Sequence, residues 1–224
     1  MSFLKAIADN RVAGSLATRM RRRRFAFFLS LLTRVKRPIT ILDVGGTQDF
    51  WVMMGQEAIG DAHITLLNLT AQPVSGRRFT SVAGDARDLS LYGDASFDVV
   101  FSNSVIEHLG PAFADQQRMA HEIRRVAKRY FVQTPNRYFP IEPHFLIPGF
   151  QFLPLEARVW LLSHFRLGWY DRIPDKRDAK REVESIALLS EKQVRKLFPA
   201  AEIYKEKIAG ITKSFVAYHG WETA

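Results

Sequence analysis

Residues 39–46 read ITILDVGG, and this stretch decides the fold of a chain of 224 residues. Its first six residues are almost all apolar, as in a strand that is covered on both faces of a parallel sheet. The acid Asp43 lies near the end of that strand, and Gly45 and Gly46 follow it. Glycines permit a tight turn and let a ligand approach the backbone closely. The stretch therefore predicts a ligand site at the end of a buried strand.

Four more short apolar runs follow, with helical stretches between them. These runs are His63–Leu69, Phe79–Ala83, Phe97–Ser102 and Tyr130–Gln133. Strands that alternate with helices are typical of a parallel α/β sheet. We therefore predict an α/β domain over residues 38–224, with a helix at residues 15–33 before it and another at residues 111–128, where Pro111 suits a first helical turn.

The end of the chain predicts one more helix and two strands. Ser190 is a suitable N-cap for a helix over Glu191–Phe198. Strands are expected at Glu202–Ile208 and Lys213–His219. The short link through Gly210 predicts that these two strands form an antiparallel hairpin.

Residues 136–189 interrupt the alternation of strands and helices. This segment starts rich in aromatic residues and proline, continues with the charged run DRIPDKRDAKREVE, and is too long for a simple connection. We expect a lid insertion with helices of its own. Its aromatic side chains favour an apolar or aromatic ligand, or else they form the core of the insertion; they are Tyr138, Phe139, Phe145, Phe150 and Phe152.

The net charge of +9 is confined to the start of the chain. Residues 1–40 hold ten of the 32 basic residues and one of the 23 acidic residues, so the rest of the chain is formally neutral. We expect residues 1–37 to form a basic helical extension whose apolar stripe packs on the domain and whose basic face is solvated. A surface contact with RNA, lipid headgroups or an acidic partner is the alternative. The stripe is Phe25, Phe28, Leu29 and Leu32, at helical spacing.

The absence of cysteine and of a long apolar run excludes several classes of protein. Without cysteine there is no disulfide, thiolate zinc site or cysteine nucleophile. The apolar run at residues 25–32 is too short to span a bilayer and has no small-residue cleavage site after it. We therefore expect a cytoplasmic protein without a transmembrane segment.

Small polar or acidic residues follow each of the first four predicted strands. Asn68 and Leu69 end the second strand, and Asp85 and Ala86 follow the third. Asn103 follows the fourth. Ligands of open α/β sheets bind beyond the carboxyl ends of the strands, so these residues are expected to share one site.

The segments ILDVGG, LLNL, VAGDARDL and FDVVFSNSVIEHL together resemble the successive motifs of class I S-adenosylmethionine-dependent methyltransferases, closest to the small-molecule group related to the quinone-biosynthesis enzymes. The resemblance implies a Rossmann-like sheet of seven strands, mostly parallel with an antiparallel last strand, and helices on both faces. It also implies S-adenosylmethionine as the cofactor and S-adenosylhomocysteine as the product. The residues expected to bind the cofactor are Asp43, Gly45, Gly46 and Thr47 for the methionine part, Asn68 and Leu69 for the ribose, Asp85 and Ala86 for the adenine, and Asn103 on the sulfonium side.

Two of these positions depart from the family pattern. Thr47 stands where the family usually has a glycine, and Asn68 stands where it usually has an acid. An asparagine still bonds two hydroxyls, one as donor and one as acceptor, but without the strength that a charge adds. We therefore expect cofactor binding to be retained.

Two histidines, each close after an acid, are the candidates for a general base. Histidine is suited to proton transfer near neutral pH. His108 follows Glu107 beyond the fourth strand, and Glu142 and His144 lie with Tyr138 in the insertion. We expect His108, His144, Glu142 and Tyr138 to be the catalytic residues. No metal site is expected, because one adjacent carboxylate and imidazole make a poor cage.

The sequence narrows the acceptor without identifying it. DNA amino-methyltransferases carry an Asn/Asp-Pro-Pro-aromatic turn where this chain has Asn103-Ser104-Val105-Ile106, and carbon-5 cytosine enzymes require a cysteine. We predict methyl transfer to a small, aromatic or lipid-like acceptor. The alternative is an RNA-binding protein or RNA methyltransferase that uses the basic N-terminal helix.

Overall fold

The computed structural model describes residues 8–9, 12 and 14–221. The helices are α1 (Leu16–Leu32), α2 (Gln48–Met54), α3 (Phe113–Val126), α4 (Leu155–His164), α5 (Lys176–Glu184) and α6 (Glu191–Leu197). The strands are β1 (Ile39–Val44), β2 (Ala62–Asn68), β3 (Phe79–Ala83), β4 (Val99–Asn103), β5 (Tyr130–Pro135), β6 (Glu202–Ile208) and β7 (Ile211–His219). Short 3₁₀ turns occur at Gln56–Ile59, Ile106–His108 and Phe150–Phe152.

The seven strands form one sheet in the order β3-β2-β1-β4-β5-β7-β6. Strands β1 to β5 pair in parallel, whereas β7 is antiparallel to both β5 and β6. The predicted fold class, with its antiparallel last strand and the hairpin through Gly210, is therefore confirmed. The strand order reverses between β1 and β4, which is where open α/β sheets bind ligands.

Side chains alternate between the two faces of the sheet and build two apolar layers. In β1, Ile39 and Ile41 face the layer that holds helix α1, while Leu42 and Val44 face the layer that holds α3 and α6. The period of two follows from strand geometry. A third cluster lies within residues 136–189 and contains Phe145, Phe150, Leu162, Leu167, Ala179 and Val183.

Capping side chains set the ends of several helices. Ser15 Oγ accepts a hydrogen bond from the Thr18 amide at the start of α1. Ser190 and Gln193 form a capping box at the start of α6, as the position of Ser190 predicted. The expected place of Pro111 in the first turn of α3 is wrong: this helix begins at Phe113, with Ala112 as its N-cap.

Helix α1 packs into the sheet domain through the predicted stripe. Phe25, Phe28 and Leu32 are buried and Leu29 is partly buried. The Phe28 ring contacts the rings of Trp51, Phe101, Phe131 and Trp221. Among the helices of the described residues, none combines the length and apolar character needed to cross a bilayer.

Candidate functional site

The turn after β1 accepts only glycine at its first two positions. Gly45 has φ +75°, and a Cβ placed there would lie 2.5 Å from Val105 Cγ2. A Cβ at Gly46 would overlap with the Asp43 carboxylate. The loop therefore passes directly over the turn that follows β4 and leaves its backbone open to a ligand, as in a cradle for a cofactor. Thr47 is exposed and caps α2 by accepting a hydrogen bond from the Phe50 amide.

Asp43 lies beneath this turn and not in the open groove. Its side chain is 1% exposed, Oδ2 accepts a hydrogen bond of 2.7 Å from Trp51 Nε1, and Oδ1 has no partner among the described residues. Burial, only partly offset by the Trp51 hydrogen bond, raises the pKa of Asp43 to about 7. Asp43, expected to bind the methionine part of the cofactor, therefore lies against Gly46 and supports the turn from below.

The residues that end β2 and β3 lie along the same edge of the sheet. Asn68 Nδ2 donates to the Gly46 carbonyl at 2.9 Å, so it links the second strand to the glycine turn. Leu69 beside it is 79% exposed, which leaves an apolar surface at the strand end. Ala86 is buried. The Asp85 carboxylate is held by Arg87, whose Nη2 lies 2.6 Å from Oδ2, and this hydrogen bond lowers the pKa of Asp85.

Arg24 of helix α1 connects the ends of three strands. Its guanidinium donates to Glu206 Oε1 at 3.0 Å, to Gln133 Oε1 at 2.9 Å and to Asn103 Oδ1. Arg24 and Glu206 also form an ion pair of 2.8 Å, with side chains that are 8% and 4% exposed. Asn103, expected on the sulfonium side of the cofactor, is thus held in position by an arginine from the N-terminal helix.

His108 and His144, which lie 36 residues apart, come into contact. Their Nε2 atoms are 3.2 Å apart. Glu142 Oε1 lies 2.7 Å from His144 Nδ1, and Glu142 Oε2 accepts hydrogen bonds from the amides of His144 and Phe145. A carboxylate that orients one ring nitrogen fixes the tautomer of a neutral imidazole, which leaves His144 Nε2 as the basic atom.

The surroundings shift the pKa values of these two histidines in opposite directions. Burial alone would lower the pKa of His144, but the hydrogen bond and charge of Glu142, together with the charge of Glu107, raise it. Desolvation, followed by the proximity of His144, lowers the pKa of His108 to about 4, although its side chain reaches solvent. At neutral pH, the His108 imidazole is therefore uncharged and can share a hydrogen bond with His144.

Glu107 adds a carboxylate to the histidine pair. It is fully buried, Oε2 accepts a hydrogen bond of 3.1 Å from Thr134, and Oε1 has no partner among the described residues. Burial raises the pKa of Glu107 to about 7. One ligand atom each from Glu107, His108 and His144 lies within 4.8 Å of the others, which is also compatible with a divalent metal. The expectation of no metal site stays a prediction, and His144 supplies the third group that the sequence pattern lacked.

Tyr138 does not join this group. Its ring is 64% exposed and stacks on Phe152, with centroids 6.1 Å apart. Phe145 and Phe150 belong to the separate core of residues 136–189. Of the five aromatic residues singled out at the start of this segment, Phe139 lines the cavity described next.

A cavity of about 870 Å³ lies between helix α1, the ends of β4 and β5, and residues 136–189. Asn103, Ser104 and Gln133 line it from the sheet, and His144 lines it from the insertion. Arg21, Arg24 and Met20 line it from α1, and Ile208 and Lys213 line it from the β6–β7 hairpin. The volume is that of a small-molecule site.

The sequence pattern missed the cationic side of this cavity. Arg24 was counted with the solvated basic face, but it lies four residues before Phe28 and seven before Leu31, which is the spacing of the buried stripe. That spacing is a signal that could have placed Arg24 on the inner face. Nothing local to Lys213 indicates that its side chain lines a cavity, because its neighbours come from distant segments.

Comparisons with known proteins agree with this geometry. Residues 42–130 match the family model described as a methyltransferase domain. That range contains the glycine turn, the ends of β2, β3 and β4, and the Glu107-His108 pair. The sequence matches none of the curated proteins with which it was compared.

Three solved structures share the fold at low sequence identity. A protein described as a possible exported protein from Bordetella parapertussis is 12% identical, with a TM-score of 0.55, over 88% of this chain and 66% of its own. An O-methyltransferase family protein from Burkholderia thailandensis is 10% identical, with a TM-score of 0.50, over 88% of this chain and 56% of its own. The methyltransferase domain of bacterial CtHen1-C is 13% identical, with a TM-score of 0.51, over 89% of this chain and 97% of its own. The chain thus spans less than two thirds of the length of the first two proteins.

Proposed function

We propose that this chain is an S-adenosylmethionine-dependent methyltransferase that transfers the methyl group of its cofactor to a small acceptor with apolar or aromatic character. The observation that carries the proposal is the cavity of about 870 Å³, which is lined by Asn103, one of the residues expected to bind the cofactor. Phe139, Ile141 and Leu146 give it apolar walls, while Asn103 and His144 give it polar ones. We further propose that residues 136–189 act as a lid over this site, and that the quinone-biosynthesis group is the nearest in chemistry.

The residues along the strand ends fit the cofactor. The turn at Gly45 and Gly46, which a Cβ would fill, suits the methionine part, and Asn68 suits the ribose hydroxyls. Asp85 and Ala86 suit the adenine, with Leu69 as an apolar cover. When bound, S-adenosylmethionine supplies an activated methyl group for an in-line displacement, to which the protein contributes alignment.

His144 is the residue best placed to take a proton from the acceptor. Glu142 holds its Nδ1 and leaves Nε2 next to His108 and the cavity. A base at this position contributes about 10²- to 10⁴-fold to rate when the acceptor is an oxygen or nitrogen acid. Glu142 then acts as a positioning residue, and the uncharged His108 shares a hydrogen bond with His144 through the short contact between the two Nε2 atoms.

Calorimetry with S-adenosylhomocysteine tests the cofactor assignment. We expect saturable binding by the wild-type chain, weaker binding by Asn68→Ala, and unchanged binding by the exposed neighbour variant Thr70→Ala. The Asn68 variant loses both the ribose contact and the link to the Gly46 carbonyl. No heat of binding by the wild-type chain at millimolar ligand would overturn the proposed function.

Kinetics with labelled S-adenosylmethionine and a panel of phenols test the roles of the histidine pair. We expect His144→Gln to lower kcat strongly and Glu142→Gln to lower it about tenfold or more, with the affinity for S-adenosylhomocysteine unchanged. His164→Gln, at the exposed end of α4, is the matched control. Equal turnover by His144→Gln and the wild-type chain would remove His144 from the mechanism.

RNA methylation is the second candidate function, and exposed arginines favour it. Arg19, Arg22 and Arg23 are exposed on α1, whereas Arg21 and Arg24 face the cavity. Offering unfractionated RNA beside the phenol panel in the same labelled assay separates the two functions. Label that enters RNA, and not the phenols, would replace the small-molecule acceptor in the proposal.

A further inference from the structure

The acceptor cavity carries an excess of positive charge. Three cationic side chains line it: Arg21 and Arg24 from α1, and Lys213 from β7. Arg24 is paired with Glu206, which lies behind the cavity wall. Asp9 also lines the cavity and makes interactions of its own. Within the described residues, neither Arg21 nor Lys213 forms an ion pair with a carboxylate.

Lys213 is a partly buried cation with two like charges, Arg24 and Arg21, close to it. Burial is the largest of the effects that lower its pKa to about 8. The charge of Arg24 lowers this pKa further, by more than the charge of Glu206 raises it. Arg21 adds a smaller repulsion. An ammonium that is removed from water and repelled by two guanidinium groups is unfavourable unless an anion binds beside it.

The position of Lys213 in the sheet separates it from the expected cofactor. Lys213 directly precedes Ser214, which pairs with Pro135 at the carboxyl end of β5, and its carbonyl accepts from the Asn136 amide at 2.8 Å. The glycine turn follows β1, which lies three strands from β7 in the order β1-β4-β5-β7. Three strand spacings are about 14 Å. An anion at Lys213 is therefore on the acceptor side of the site.

Arg21 is placed differently. Its guanidinium lies 5.6 Å from the centre of the Phe50 ring, and Phe50 belongs to helix α2, which starts directly after the glycine turn. Arg21 is thus close to the end of the site that is expected to hold the methionine part of the cofactor, which itself bears a carboxylate. The cavity has one cation toward each end, with Arg24 between them.

We propose that the acceptor is an apolar or aromatic molecule with an anionic group, a carboxylate or a phosphate, that binds Lys213 at the end of the cavity away from the cofactor. The apolar part lies against Ile141, Leu146 and Ile208. The inference rests on the proposed function, because it names the chemical class of the acceptor at that site. The positive charge of Arg24 strengthens the attraction for the anionic group, while Arg24 keeps its ion pair with Glu206.

A matched pair of fluorescent probes tests this proposal without knowledge of the acceptor. Anilinonaphthalene sulfonate and phenylnaphthylamine share one apolar ring system, and only the first carries an anion. We expect the wild-type chain to bind the sulfonate more tightly than the neutral probe. We expect Lys213→Met to weaken binding of the sulfonate about tenfold or more, which is the effect of losing a charge-assisted hydrogen bond. Binding of the neutral probe should not change.

Three further measurements keep the outcomes distinct. Lys213→Arg retains the charge and should retain sulfonate binding, and Lys207→Met, on the exposed side of the same hairpin, should behave as the wild-type chain. Calorimetry should show that Lys213→Met binds S-adenosylhomocysteine normally, whereas Arg21→Gln binds it more weakly. Thermal unfolding of each variant checks that it is folded.

Two results would overturn the inference and leave the proposed function standing. Equal affinity of the wild-type chain for both probes would mean that the cavity has no anion site. If Lys213→Met and Arg21→Gln weakened the binding of S-adenosylhomocysteine equally, Lys213 would be assigned to the cofactor carboxylate. If the wild-type chain binds no S-adenosylhomocysteine, the proposed function fails, and the probe pair still decides whether the anion site exists.

Discussion

Gly45 shows how a single residue is required for two independent reasons. Its φ of +75° favours glycine, and its Cα lies so close to the turn after β4 that a side chain would meet Val105. Gly55, at the end of α2, has a similar φ of +86° but open space around it. The two positions therefore separate backbone strain from the contact with Val105.

We expect Gly45→Ala to lower the free energy of unfolding by about 1–3 kcal/mol more than Gly55→Ala does, because only the first change overpacks a contact. Denaturant unfolding of both variants measures the difference. Val105→Ala in the Gly45→Ala background should recover part of the loss and part of the affinity for S-adenosylhomocysteine. Equal losses in the two glycine variants would mean that Val105 is free to move aside.

Asp43 predicts a stability profile that depends on pH. Burial raises its pKa to about 7 in the folded state, whereas an unfolded aspartate titrates near 4. The folded state therefore binds the proton more strongly, so the contribution of Asp43 to stability falls as pH rises from about 4 to about 7. Above that window both states are ionised and the contribution is constant.

Comparison with Asp43→Asn isolates this contribution. The amide oxygen still accepts from Trp51 Nε1 and no longer titrates. Relative to the wild-type chain, this variant should gain stability as the pH rises from about 4 to about 7, as measured by denaturant unfolding. Asp49→Asn, exposed in the first turn of α2, should show no such trend. A constant difference between Asp43→Asn and the wild-type chain would contradict the raised pKa.

At the scale of elements, helix α1 is tied to the sheet by a buried ion pair as well as by phenylalanines. Arg24 and Glu206 lie 182 positions apart and join the helix to β6. Ser214 on β7 also donates to Glu206. The boundary of a separate extension at residue 37 stays a prediction, but the contacts of α1 make it part of the wall of the site.

Removal of one partner of this pair should be costly. We expect Arg24→Met to lower the free energy of unfolding by about 3–5 kcal/mol, because Glu206 is left buried without its ion-pair partner. Arg23→Met, on the exposed face of the same helix, should change it by less than about 0.5 kcal/mol. The double variant Arg24→Met with Glu206→Met should recover most of the loss. No recovery would show that the hydrogen bonds to Asn103 and Gln133 matter more than the charge.

At the scale of the whole molecule, the basic residues behind the net charge of +9 lie in two different places. Some of the N-terminal arginines remain on the exposed face of α1, and two of them line the cavity. The exposed group can attract polyanions through counterion release, independently of the proposed methyl-transfer site. The inward group is available only to a ligand that enters the cavity.

This division predicts weak, salt-sensitive binding of RNA that is separate from catalysis. Replacing Arg19, Arg22 and Arg23 by glutamine should abolish most binding of a single-stranded RNA at low salt and flatten its dependence on salt. The affinity for S-adenosylhomocysteine should be unchanged. RNA binding that persists in this variant, or that competes with S-adenosylhomocysteine, would favour an RNA substrate.

The order of strands and helices was predictable from the sequence, because period and composition are local properties. The runs ITILDV at residues 39–44 and FTSVA at residues 79–83 coincide with β1 and β3. The antiparallel hairpin and the polar residues at the strand ends could be predicted for the same reason, with help from the resemblance to a known family. The start of α3 was not predictable from Pro111, because proline also occurs in turns outside helices.

The composition of the cavity between α1, the sheet and residues 136–189 depended on contacts between distant segments. His108 meets His144 across 36 residues, and Arg24 meets Glu206 across 182. A local pattern shows which chemical groups a segment carries, but which of them face each other follows from how helices and strands pack. The sequence alone therefore determined the fold class and the expected cofactor edge. Only the tertiary structure decided that a basic helix turns two arginines inward toward Lys213, since that arrangement requires α1, the β6–β7 hairpin and residues 136–189 to close around one cavity.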